Sequence, residues 1–225
     1  MSINYQVIAT GDGSHTLQLP GSHITFHSRR GAIQESQHVF IKAGLEFWLD
    51  QSKSKKLFLL EVGFGTGLNS LMTAIAARQK HLELEYTAIE LNPLPVSVFE
   101  QLNYGRLLHE EVLYNEIVHA RWNEWADLSP NFKLRKIHGD LLGFRFETSF
   151  DVIYFDAFAP DDQAEMWSEN IWNQMREHLN PNGVMTTYCS KSMVRKSLLN
   201  AGFRVEKIPG PPGKREMIRA RLLNH

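Results

Sequence analysis

The alternation of apolar and polar positions changes character at Leu57. Before it, YQVIAT (5–10), HTLQLP (15–20) and HITFHS (23–28) alternate in short bursts around Gly11-Asp12-Gly13. Short alternating runs joined by turn residues predict small antiparallel strands over 4–27. Ile33, Val39, Phe40, Ala43, Phe47 and Trp48 then recur at helical spacing and predict a helix over 32–50. The polar QSKSKK (51–56) closes this N-terminal cap, residues 1–56, of β-hairpin and helix.

From Leu57 onward, buried-strand and helix patterns take turns. LFLLEV (57–62), LELEYTAIE (82–90), LRKIHG (134–139), FDVIYFDAF (150–158), the VMTTYC end of 173–189, FRVEKI (203–208) and EMIRARLL (216–223) read as seven strands. Helical patterns fall at LNSLMTAIAARQ (68–79), at PLPVSVFEQLNYGRLL (93–108), at the start of 173–189 and at SMVRKSLLNAG (192–202). Segment 108–133, with Trp122 and Trp125, reads as helical or irregular. Strands alternating with helices pair in parallel through right-handed crossovers. The expectation is therefore an α/β chain with a seven-stranded, mostly parallel sheet and helices on both faces. Residues 57–225 form its core, integrated with the cap into one domain.

Composition adds boundaries rather than direction. The chain has 225 residues, 43% apolar and 22% charged, which suits one soluble α/β domain. No apolar run approaches membrane-spanning length, and the opening MSINYQVIAT lacks the pattern of a secretory signal. A single cysteine, Cys189, excludes an internal disulfide and fits a reducing cytoplasm. Ending the apolar run VMTTYC, it reads as a buried bystander. The formal net charge of -1 argues neither for nor against a nucleic-acid partner. The ten histidines show no paired-ligand spacing, so no metal is expected.

The sharpest local signal is Glu61-Val62-Gly63-Phe64-Gly65-Thr66-Gly67-Leu68-Asn69, a strand, a glycine loop and a helix start. Glycines admit positive φ and close ligand approach, and the helix start offers unpaired N–H groups. A turn needed only for packing would require fewer glycines. The spacing G-x-G-x-G differs from the dinucleotide G-x-G-x-x-G, and the acidic Glu61 would repel a pyrophosphate while attracting an amino-acid head or a cationic sulfonium. No Walker lysine follows the loop. Tyr188 and Lys191 are three apart, where the catalytic pair of a short-chain dehydrogenase needs four. Glu90 ends the second strand, where a carboxylate can accept both ribose hydroxyls. Asp140, after the third strand, could accept from an adenine amino group. Each acid alone reads as a solvated loop carboxylate; three at successive strand ends read as a ligand site.

This pattern resembles the class I, Rossmann-like S-adenosylmethionine-dependent methyltransferases over 57–222. The cofactor set it implies is Glu61, Gly63, Phe64, Gly65, Thr66, Gly67, Asn69, Glu90, Asp140 and Leu141. Further stretches narrow the match: FHS (26–28), GAIQE (31–35), HVFI (38–41), DAFAP (156–160), Met166-Trp167, NIWN (170–173), AGF (201–203) and GKREM (213–217). Together they resemble the MnmC-type tRNA methyltransferases, which make 5-methylaminomethyl-2-thiouridine at wobble position 34. The family often carries a flavin-dependent oxidase domain as well. The chain resembles the stand-alone form without it, so no FAD is expected, and a separate oxidase or an aminomethyl-uridine-forming complex would supply the substrate. Where the family usually has glycine, this chain has Ala157, which would cost roughly 1 kcal/mol if that backbone needed positive φ.

The resemblance implies methyl transfer to the aminomethyl nitrogen, with Asp156 accepting the amine proton and Glu35, Phe158 and Pro160 around the substrate. Arg29, Arg30, Lys191 (with Arg195 and Lys196), Lys214 and Arg215 are the candidate contacts to tRNA in the cytoplasm. Trp122, Trp125, Trp167 and Trp172 read as core rather than as base-stacking platforms. Two other functions remain open: an aminopropyltransferase, kept in play by Asp161-Asp162, and an RNA-binding adaptor without catalysis.

Overall fold

The computed structural model describes residues 5–222. The cap begins as a hairpin of β1 (Gln6–Ala9) and β2 (His15–Gln18). The expected third cap strand is absent; 23–28 makes only a single-residue bridge, Thr25 to Gln18. Side chains there compete with the ladder. The His27 N–H donates to Thr16 Oγ1 at 2.9 Å, and Thr25 Oγ1 donates to the His27 carbonyl at 2.8 Å. The helix expected over 32–50 forms as α1 (Ala32–Ser36), a π-helical stretch Gln37–Glu46, and α2 (Phe47–Leu49). Gly44 lets this helix lie against the sheet: a Cβ there would meet Tyr154 at 3.0 Å.

The seven expected strands are β3 (Lys56–Val62), β4 (Glu83–Glu90), β6 (Phe132–His138), β7 (Phe150–Phe155), β8 (Leu179–Thr187), β9 (Phe203–Pro209) and β10 (Glu216–Leu222); residue 223 lies outside the described chain. An eighth, β5 (Trp125–Ser129), pairs antiparallel with β6 at the sheet edge, inside the segment read as helical or irregular. It is short and half-solvated, which leaves Trp125 48% exposed rather than in the core. Trp167 and Trp172 are fully packed, and Cys189 is buried.

The order across the sheet is β5-β6-β4-β3-β7-β8-β10-β9. The five strands from β6 to β8 run parallel, and β10 runs antiparallel between β8 and β9. Both faces are covered. Leu57, Leu59 and Tyr86 pack with the π-helical stretch and α3 (Leu68–Gln79), while Leu60, Val62 and Phe155 pack with Trp167 and Trp172. Beyond β4 the proline-opened segment splits into α4 (Val96–Phe99) and α5 (Tyr104–Leu108). Asn103 between them ties to the cap, accepting from His15 N–H and donating to the Gly13 carbonyl, both at 2.9 Å. The remaining helices are α6 (Glu111–His119), α7 (Glu169–Glu177) and α8 (Ser192–Asn200). Order reverses between β3 and β7, so the carboxyl ends of these strands open a crevice where α/β sheets bind ligands.

Lys136 on β6 carries an electrostatic penalty for its burial. It is 1% exposed, donates to the Val118 carbonyl at 2.8 Å, and lies 4.9 and 5.1 Å over the Trp122 and Phe64 rings. Burial pushes its ammonium down to about 8. The folded value lies below the unfolded one, so the unfolded chain holds more protons between them and stability rises with pH through that window. At pH 7 the penalty is about 3 kcal/mol, and against it stand the Val118 hydrogen bond, about 1 kcal/mol, and the two ring contacts, about 0.5–1 kcal/mol each. Lys136→Met is therefore expected to raise the thermal midpoint by about a degree or two at pH 7 and to lower it near pH 10. An unchanged or lower midpoint at pH 7 would contradict this.

Candidate active site

A cavity of about 820 Å³ opens at the carboxyl ends of β3, β4, β6 and β7. Each contributes the residue that its strand register delivers there. After β3 the loop passes through Gly63, Gly65 and Gly67 at φ of 90°, 49° and 73°. Only glycine occupies that region without strain. At Gly63 the contact is also too close for a side chain, since a Cβ would fall 2.8 Å from the Asp156 carbonyl oxygen. Gly67 starts α3, and Asn69 on its first turn is buried.

Glu90 ends β4 and faces this loop. Its carboxylate accepts the N–H of Gly65 at 3.1 Å and of Asn92 at 2.9 Å. Burial raises its proton affinity, and these N–H bonds oppose the rise. Two acceptor oxygens fixed by backbone, with lone pairs left over at the cavity wall, suit a pair of vicinal hydroxyls. Asp140 and Leu141 follow β6; Asp140 holds the Leu142 N–H at 3.0 Å, and both line the cavity.

Glu61 does not line it. Like Leu57 and Leu59 it points from β3 toward α3, fully buried, and Asn69 Nδ2 donates to it at 2.9 Å. Burial, reinforced by the charge of Asp156, pushes its carboxyl well above the usual range. The sequence reading placed Glu61 against the ligand; here it reaches the cavity only through Asn69, which also donates to Asp156 Oδ2 at 2.9 Å.

Asp156 follows β7 and lines the cavity beside Ala157 and Phe158. Burial raises its carboxyl to about 7; Glu35 adds to the rise, and Asn69 and Lys214 oppose it. Ala157 is not among the described non-glycine residues with positive φ, so alanine costs nothing there. The loop is braced: the Phe158 N–H donates to Gln163, Trp167 Nε1 donates to the Phe158 carbonyl at 2.7 Å, and the Tyr188 hydroxyl donates to the Ala157 carbonyl at 2.9 Å. Phe158 stacks edge-on with Phe26 at 5.3 Å, forming an apolar wall.

Glu35, from α1, enters from the cap. Its two oxygens accept the Ser28 N–H at 2.7 Å and the Lys214 ammonium at 2.8 Å. Pro160 is buried outside the lining, and Arg29, Arg30, Lys191 and Arg215 are exposed and also outside it. Lys191 is paired with Asp161. Arg30 lies directly against Gly213, bringing Arg29-Arg30 and Lys214-Arg215 into one basic rim next to the cavity.

Several lining residues carried no site reading from sequence. His27 is buried, shares a 2.8 Å hydrogen bond with Thr66 Oγ1, and is pushed by burial down to about 4, so it stays neutral. Tyr5, Gln163 and Tyr188 also line the cavity. Tertiary folding places FHS (26–28) over the glycine loop, with Phe26 against Gly65 and His27 on Thr66. Among the described residues, no group of three or more metal-ligating side chains is gathered, and no helix is long and apolar enough to cross a membrane.

Comparison with known proteins bears directly on this arrangement. Residues 114–222 match the family described as S-adenosyl-L-methionine-dependent methyltransferase. The chain is 31% identical to the tRNA 5-methylaminomethyl-2-thiouridine biosynthesis bifunctional protein MnmC of Burkholderia thailandensis, over 86% of this chain and 31% of that protein. The MnmC of Marinobacter nauticus is likewise 31% identical, over 88% of this chain and 34% of the relative. The chain thus spans about a third of the length of these curated relatives. The crystal structure of MnmC2 from Aquifex aeolicus superposes with a TM-score of 0.82 at 25% identity, covering 100% of this chain and 72% of that one. Spermidine synthase from Thermotoga maritima shares the fold at a TM-score of 0.59 and 14% identity, over 97% of this chain and 68% of its own. The architecture is that of the class I methyltransferases, and the MnmC resemblance read from the sequence holds along nearly the whole chain.

Proposed function

We propose that this chain, a relative of the MnmC proteins over about a third of their length, methylates the aminomethyl nitrogen of 5-aminomethyl-2-thiouridine at the tRNA wobble position, using S-adenosylmethionine. The observation that carries the reading is the joint placement of the glycine loop, Glu90 and Asp156 around one cavity. The residues fit the cofactor. Positive-φ glycines leave room for close approach, Glu90 offers fixed acceptors suited to ribose hydroxyls, and Asp140 and Leu141, also on the lining, are read as the adenine side. Its volume lies within the roughly 300–1,000 Å³ of small-molecule sites.

When bound, S-adenosylmethionine supplies a methyl group on cationic sulfur, and the amine lone pair forms the N–C bond as the S–C electrons return to sulfur. The chain has to free that lone pair. An ammonium near a lysine-like 10.4 must lose one proton, at a cost of up to about 4.6 kcal/mol at pH 7. The Asp156 carboxylate accepts it, and the Phe26–Phe158 wall lowers the amine's proton affinity by desolvation. After transfer the secondary amine keeps its remaining protons and leaves as a cation. Holding amine and methyl in line contributes up to roughly 7–11 kcal/mol, more than the proton transfer itself.

The basic rim formed by Arg29, Arg30, Lys214 and Arg215 is the proposed path for RNA phosphates, and Glu35 and Pro160 support the substrate side. An aminopropyltransferase would need several carboxylates for a polyamine. Asp162 lines the cavity together with Glu35 and Asp156, while Asp161 pairs with Lys191, so the carboxylates alone do not decide between the two reactions and the acceptor must be measured. The cofactor is S-adenosylmethionine with no flavin or metal, the place of action is the cytoplasm, and a separate oxidase or aminomethyl-forming complex provides the substrate. Incubation with methyl-labelled cofactor and bulk tRNA tests this reading. Label should enter RNA, putrescine with decarboxylated S-adenosylmethionine should give no product, and RNA binding should weaken steeply with salt. A polyamine product from putrescine and the decarboxylated cofactor, or RNA binding indifferent to salt, would refute it.

A further inference from the structure

We propose that the Glu35–Lys214 ion pair is a positioning device that sets the proton affinity of Asp156 and so the pH range in which the chain can take a proton from its substrate amine. This rests on the reading of Asp156 as the proton acceptor. The pair is built from both ends of the chain: Glu35 from the first turn of α1, Lys214 from the turn between β9 and β10. Glu35 is held on both oxygens, and the backbone turn that carries Lys214 is closed, although the Lys214 side chain is 37% exposed. Glu35 is 8% exposed and bound through its second oxygen to the Ser28 N–H. The Lys214 turn is closed by its own N–H to the Pro211 carbonyl at 2.9 Å and by the Gly210 N–H to the Arg215 carbonyl at 3.1 Å.

The connection to Asp156 is physical. The Lys214 ammonium lies 4.0 Å from the centre of the Tyr188 ring, and the Tyr188 hydroxyl donates to the carbonyl of Ala157, the residue after Asp156. Glu35, Lys214, Tyr188 and Asp156 all line the same cavity. A buried carboxylate with no cation beside it would oppose ionisation of Asp156, and a cation at this place relieves that opposition. Other groups acting on the same carboxyl are Asn69 from α3, which donates to it, and Glu61 and Tyr86 on β3 and β4, which share its buried field. None of them bridges to the cap. Glu35 pushes the Asp156 carboxyl up and Lys214 pulls it down, so the two members act with opposite sign.

That opposition makes the idea testable. The probe is the Asp156 carboxyl itself, followed by carbon NMR over pH 4–10 in the free protein and compared with the pH profile of methyl transfer. Glu35→Gln, which keeps an acceptor for Ser28, should lower the titration midpoint by about one pH unit. Lys214→Met should raise it by a smaller amount, Lys214→Arg should restore it, and the double variant Glu35→Gln/Lys214→Met should fall between the two single variants. If Lys214→Met fails to fold, Lys214→Gln serves the same arm. A purely structural tie predicts lowered melting temperatures with the midpoint unmoved. That result, or single variants shifting the midpoint in the same direction, would overturn the proposal. Opposite NMR shifts in a protein that methylates no tRNA would keep this inference and remove the proposed function instead.

Discussion

Asp156→Asn is expected to lower methyl transfer by about 100- to 10,000-fold while leaving cofactor affinity within about twofold, because the asparagine keeps the shape and loses the proton acceptor. The pH dependence sharpens this. With the carboxyl raised to about 7, the ionised form falls tenfold for each pH unit below that value, so kcat/KM should rise with pH and level off above 7. The Asn variant's residual activity should lack that limb. The same group has a stability signature of known sign. Its folded value lies above the unfolded one near 3.9, so the stabilisation is complete below about pH 4 and is lost as pH rises through 7. Melting temperatures of the Asn variant relative to native should therefore improve between pH 5 and pH 8. A variant that turns over normally, or a native pH profile flat from 5 to 8, would take Asp156 out of the chemistry.

The second large effect falls on binding. Glu90→Ala removes two acceptor oxygens at the cavity wall and leaves the Gly65 and Asn92 N–H groups without their partner. Hydrogen bonds to a charged group are worth about 1.5–3 kcal/mol each, so a loss of about 3 kcal/mol, or more than 100-fold in Kd, is expected. Calorimetric titration with S-adenosylmethionine measures it directly. Glu90→Gln, which retains one acceptor, should fall between. Equal affinity in all three proteins would mean that Glu90 only shapes the loop. The two variants separate the roles: one loses turnover at constant affinity, the other loses affinity first.

Much of this site was legible because strand ends are legible. A buried run that stops at an acid or a glycine marks a carboxyl end, and Gly63, Glu90, Asp140 and Asp156 sit at four such stops. A shared crevice follows once the strands are parallel. Glu61 shows the limit of that logic. Period-two alternation along β3 turns it away from the cavity, and sequence position alone did not separate the last strand residue from the first loop residue. β5 escaped notice because a short edge strand with alternating exposure carries little apolar signal. Segment 23–28 looked like a strand, but Thr16 and Thr25 bind its backbone and leave it as an irregular wall. His27, Tyr188 and the meeting of Arg30 with Gly213 depend on contacts between distant parts of the chain, which no local pattern records.

The most direct test of the central claim is the identity of the methylated nucleoside. The protein is incubated with methyl-labelled S-adenosylmethionine and tRNA from cells lacking this gene, and the RNA is digested and separated. The label is expected to run as 5-methylaminomethyl-2-thiouridine from wobble position 34. Label in any other nucleoside, or none from a protein shown to bind the cofactor, would contradict it.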